Sequence, residues 1–148
     1  MYYCTVLKTK GIWSYSFFID HTRENMNIKE CYDAFGGSYE EAKSRLQSDS
    51  LVERFAIKFL SDPSYDALCK AMEEQDFEAA FRAAHTLKGV SMNLSFHRLG
   101  ASSKVLTETL RGWESGSVDT GLCAEQFMQV AGDYEAVVEA VRKLADEK

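Results

Sequence analysis

The stretch FRAAHTLKGVSMNLSFHRL, residues 81–99, decides the reading of this chain. Wound at about 100° per residue, Ala80, Ala83, Leu87, Val90 and Leu94 gather on one side, the side a helical bundle buries. His85 points almost the opposite way. Phe81 one turn below, Lys88 and Gly89 one turn above and Met92 two turns above lie on its side, with Lys88 and Gly89 at i+3 and i+4 as its nearest neighbours on the helix surface. Gly89 is out of keeping with a helix: it costs about 1 kcal/mol relative to alanine. The apolar pattern runs on through Leu94, so Gly89 is not a C-cap. A missing side chain one turn from a histidine leaves the imidazole open to something large, and the Lys88 ammonium beside it suits an incoming anion. An exposed neutral imidazole, an adjacent cation and a cleared approach are what a phosphate-accepting nucleophile requires. A histidine exposed by itself is ordinarily just a surface residue; the helical glycine sets this one apart.

Working outward, the chain from Met26 is written in helices with clear punctuation. Ile28, Cys31, Tyr32 and Phe35 make an i, i+3, i+4, i+7 stripe that Gly36-Gly37 ends. Ser38 and Glu41 form a capping-box pattern for a short helix to about Leu46, and Ser50 and Glu53 repeat it before LVERFAIKFL. In that segment Leu51, Val52, Phe55, Phe59 and Leu60 are expected to face inward. Asp62 and Pro63 read as N-cap and first residue of the next helix, which carries Tyr65, Leu68, Cys69 and Met72 inward. Asp76 is placed to cap the histidine helix. A brief bend over 95–98 leads to a helix from about Leu99 to Trp113, with Leu99, Ser102, Ser103, Leu106, Leu110 and Trp113 on one side. Lys104, Glu108 and Arg111 lie opposite, as ordinary solvated charges. After the loop ESGSVDTG, 114–121, a last helix runs from about Leu122 to Ala145, with Phe127, Tyr134, Val138 and Val141 inward and Gly132 a point of bending or splitting. The fold class is therefore all-α. Short connections favour an antiparallel up-down four-helix bundle, with short additional N-terminal helices over 28–46 covering one end.

The segment AHTLKG, with Leu99 beyond it, resembles the histidine-phosphotransfer (HPt) domains of bacterial two-component phosphorelays. Their pattern is H-x-x-K-G, then usually a glycine six residues later and a leucine four residues on. His85, Lys88, Gly89 and Leu99 match, and Ser95 stands where the second glycine is common, a departure that bears on the bend between two helices and not on chemistry. The resemblance extends over most of 26–148. It implies that His85 is the phosphoacceptor and that Lys88 stabilises the phosphate. Gly89 leaves room for a partner, and Phe81 and Met92, odd residues to leave in water, read either as an apolar ring that docks that partner or as the margins of the buried stripe. The resemblance also implies partners, namely response-regulator receiver domains and a hybrid histidine kinase. The chain itself is expected to carry no cofactor and no metal, since the Mg²⁺ belongs to the receiver, and to act as a phosphoryl carrier rather than an autonomous enzyme. A monomer in the cytoplasm is expected. Two other readings stand beside this one. A helical interaction module would leave His85 inert. A histidine-kinase dimerisation domain usually has an acidic residue after the histidine and a proline a few residues on, but Thr86 follows here, Pro63 is the only proline, and no glycine-rich nucleotide lid is present.

Composition narrows the classes further. With 148 residues, 45% of them hydrophobic, the chain suits one globular domain with a real core. A formal net charge of −6 argues against nucleic acid or an anionic membrane as partner. Cys4, Cys31, Cys69 and Cys123 are far apart with no C-x-x-C pair, and read as reduced thiols packed as small hydrophobes. His21, His85 and His97 lack metal-ligand spacing. Residues 1–25 carry aromatics and β-branched residues but no helical stripe, and three readings stand for them: a short strand, an ordered arm on the bundle, or a stretch ahead of a biological start at Met26. Residues 11–18 are too short and too polar for a signal sequence, and far too short to span a bilayer. The domain proper is expected over 26–148.

Overall fold

The computed structural model describes residues 25–147, and all regular structure within them is helical: α1 (Ile28–Phe35), α2 (Tyr39–Leu46), α3 (Asp49–Phe59), α4 (Ser64–Glu73), α5 (Phe77–Asn93), α6 (His97–Leu110) and α7 (Thr120–Asp146). A 3-10 turn, Arg111–Ser115, extends α6. The reading of 1–25 as an extension lies, but for Asn25, outside the described residues. Side-chain caps set several helix starts. Asp76 accepts from the Ala79 N–H at 3.0 Å at the head of α5, and Asp119 accepts from the Leu122 N–H at 3.0 Å at the head of α7. Gly36 closes α1 in the left-handed region, φ +70°, where a side chain would also strike Arg98.

Several expectations shift. The full reciprocal capping box is at Asn27 and Glu30. At Ser38 only half of one forms, because the Glu41 carboxylate turns to Arg45 and His97 instead. Helix α3 starts at Asp49, ahead of Ser50, and Phe55 is 39% exposed rather than inward; Val52, Ala56 and Phe59 form the buried side. Pro63 sits before α4 rather than in it, with Asp62 Oδ1 accepting from the Ser64 N–H at 2.9 Å. Helix α6 begins at His97 and ends at Leu110, and α7 continues unbroken through Gly132.

Consecutive helices α4, α5, α6 and α7 each pack on the next, and α1 lies along α7. Tyr65 of α4 stacks on Tyr134 of α7 at 3.8 Å between ring centres, which joins the first and last of this set. At one end Phe96 is enclosed by Tyr32, Phe35 and Phe59, so α1 and α3 are sealed onto the junction between α5 and α6. Cys31, Cys69 and Cys123 are buried and outside any disulfide, and burial pushes the Cys31 thiol up to about 12, so Cys31 is an inert apolar filler. The one ion pair of the described residues that reaches a buried carboxylate is Arg98 on Asp133, at 3.6 Å, with Gln129 donating to the same group.

The junction itself turns on Ser95. Its φ is +57°, it is fully buried, and its Oγ has no hydrogen-bond partner among the described residues. Its backbone is well used, donating to Met92 O at 3.1 Å and accepting from Ser38 N–H at 2.9 Å. The left-handed conformation costs a non-glycine residue roughly 1–2 kcal/mol, and an unpaired buried hydroxyl adds to that. Ser95→Gly is therefore expected to raise stability by about 1 kcal/mol, after allowing for the roughly 0.5–1 kcal/mol that glycine loses in backbone entropy. Thermal melting checks it. A midpoint at or below the parent value would mean that the Ser95 side chain packs too well to lose.

Candidate functional site

Helix α5 buries Ala80, Ala83, Ala84, Leu87 and Ser91 and turns His85 to solvent near its middle. Lys88 and Gly89 follow within one turn, both half-buried. A Cβ built on Gly89 meets nothing within 4 Å, so no packing demand explains the glycine. Met92, one further turn along, is 51% exposed. Its flank lies against α6, where the Cβ position of Gly100 is 3.2 Å from Met92 Cγ, and its carbonyl accepts from Arg45 Nη1 at 2.5 Å. The Met92 backbone is thus fixed while its side chain stands exposed on the His85 side of α5, two turns along.

Phe81 occupies the turn below. Its ring centre is 6.1 Å from that of His85, with 27° between the planes, and it also packs against the core. It is both a wedge against neighbouring helices and a wall for the imidazole. Above the Phe81 ring sits the Arg111 guanidinium, 5.4 Å from the ring centre, a cation–π arrangement. Arg111 in turn donates through Nε and Nη2 to the two Glu108 carboxylate oxygens, both at 3.1 Å. These hydrogen bonds, and then the charge of Arg111, hold the Glu108 carboxyl below the usual carboxylate range; Lys88 and Lys104 pull the same way more weakly.

The predicted site residues therefore do come together: His85, Lys88, Gly89, Met92 and Phe81 share one face of α5. Sequence reasoning missed what α6 adds. Lys104, Glu108 and Arg111, read as solvated charges, border that same face because α6 returns along α5. A signal was available. About the turn at Phe96, equally distant positions meet across the hairpin, which puts Arg111 over Phe81 and Lys104 level with Lys88.

A family model described as the Hpt domain matches residues 61–144, which span α4 through most of α7. The chain belongs to the Hpt family. No curated protein and no solved structure matches it. Membership gives this Hpt domain a phosphotransfer-related function in two-component signalling. The motif H-x-x-K-G falls inside the matched residues, whereas α1, α2 and α3 lie before them. Among the described residues no group of three or more His, Cys, Asp or Glu side chains is arranged to hold a metal ion. No helix among them is long and apolar enough to cross a membrane.

Proposed function

We propose that this Hpt domain relays a phosphoryl group between receiver-domain aspartates through His85. The observation that carries the reading is a solvent-facing imidazole in mid-helix, with open space above Gly89 and Lys88 at i+3. In the transfer, a lone pair of the neutral imidazole attacks the phosphorus of an aspartyl phosphate. A nitrogen–phosphorus bond forms, the bond from phosphorus to the carboxyl oxygen breaks, and the aspartate leaves as carboxylate; the reverse step loads the next receiver. Family resemblance assigns the attack to Nε2. Lys88 partly neutralises the phosphoryl oxygens, while Mg²⁺ and in-line alignment come from the receiver's acidic pocket. Met92 and the outer edge of Phe81 offer apolar contact to that receiver, and Gly89 gives it room. A hybrid histidine kinase supplies the phosphoryl group at the head of the relay. The scaffold we infer is an antiparallel up-down bundle of α4, α5, α6 and α7, acting as a monomeric carrier in the cytoplasm.

Incubation with a panel of phosphorylated receiver domains tests this. Label is expected on the parent chain and not on His85→Gln. Equal labelling of the two, or none from any receiver, would sink the assignment. Lys88→Ala is expected to slow transfer roughly fivefold, the rate equivalent of about 1 kcal/mol for one partly exposed charge contact. Its melting curve should match the parent. An unchanged rate would make the lysine a bystander.

A further inference from the structure

The face that carries His85 is unlike the rest of this acidic chain. Lys88, Lys104 and Arg111 bring positive charge to it, and Glu108 is the carboxylate within reach of all three. Glu108 is not idle: it engages Arg111 through two hydrogen bonds of 3.1 Å. Both partners are largely in water, with side chains 56% and 53% exposed, so the pair is held only weakly. Arg111 is nevertheless kept next to the site, because its guanidinium rests over Phe81 and the Phe81 ring stacks on His85.

A phosphoryl group on His85 changes the competition for that guanidinium. It carries more negative charge than a carboxylate and offers three acceptor oxygens, which a guanidinium fork meets two at a time. We propose that Arg111 is a second anion-binding residue of this site, held by Glu108 while His85 is free and passed to the phosphoryl oxygens once His85 is loaded. Glu108 then acts as a carboxylate brake. It withholds the cation from an empty site, and its own charge repels the loaded one. No bond to phosphorus is made or broken in the exchange; one ion pair replaces another. The inference rests on His85 as the phosphoacceptor and extends it to the residues that set how strongly the phosphohistidine is held.

Loading His85 chemically with phosphoramidate tests the exchange without any receiver. The Arg111 Nε–H resonance, assigned by its disappearance in Arg111→Lys, is expected to move when intact mass shows one added phosphoryl group. The transfer equilibrium with a receiver gives a second readout. Glu108→Gln should shift it roughly threefold towards phosphohistidine and Arg111→Ala roughly threefold away, the scale of an exposed ion pair. Both variants should melt like the parent chain. A mass increase on His85 with a stationary Arg111 signal, or an equilibrium that neither variant moves, overturns the exchange while leaving the acceptor assignment intact. A chain that takes no phosphoryl group from phosphoramidate or from any receiver overturns the acceptor assignment, and the exchange with it.

Discussion

Phe96→Ala is expected to destabilise the protein by about 3–5 kcal/mol, the range for truncating a large aromatic in a packed core. Phe96 is fully buried at the junction between α5 and α6, and three rings meet it edge-on: Tyr32 at 5.5 Å, Phe35 at 4.9 Å and Phe59 at 5.1 Å. Truncation leaves a void between α1, α3 and the α5–α6 junction, and two hydrogen bonds hold α1 at its present distance from that junction. The Tyr32 hydroxyl donates to Leu94 O at 2.9 Å, and Arg98 N–H donates to Gly36 O at 3.3 Å. A domain is stable by only about 5–15 kcal/mol in all, so the loss is a large share. Phe55→Ala is the matched control. Phe55 is 39% exposed, and the same truncation there should cost below about 1 kcal/mol. Urea denaturation of both variants checks the pair. Equal costs would mean that Phe96 is not the keystone of this junction, or that Phe55 is covered in solution.

Punctuation residues were the most legible part of the fold. Asp76 and Gly36 act locally, through one hydrogen bond or one backbone angle, and local chemistry is visible in sequence. Phe55 was not legible. A helix with apolar residues on more than one side does not say which side its neighbours cover, and here Ala56 is taken inward in preference to it. Ser95 marks another limit. Nothing in a serine announces a left-handed backbone, and only comparison with the family pattern, where glycine is common, points to it. The site follows the same division. His85, Lys88, Gly89 and Met92 are joined by the geometry of a single helix, which spacing alone fixes. Glu108 and Arg111 reach that face only through the register between α5 and α6, a register set by the turn at Ser95 and the close contact of Gly100 with Met92.

Gly89→Gln is expected to leave the bundle folded and to lower phosphotransfer through His85 at least tenfold, equivalent to about 1.4 kcal/mol or more in the barrier. Gly89 lies one turn beyond His85 and about 40° round the helix, and the space its Cβ would enter is empty to 4 Å. A side chain there has no core to disturb, yet it projects where a receiver must come to reach the imidazole. Gly89→Ala separates the two effects. A methyl group fits without contact, so stability should rise by up to about 1 kcal/mol, through helix propensity and a less flexible unfolded chain. Its transfer rate should stay close to the parent. Melting and transfer kinetics on the same two variants decide the matter. If Gly89→Gln unfolds the protein, the glycine serves packing and the access argument fails. If it stays folded and transfers at the parent rate, the receiver does not approach over that turn, and the exposed Met92 side of the histidine becomes the direction to probe.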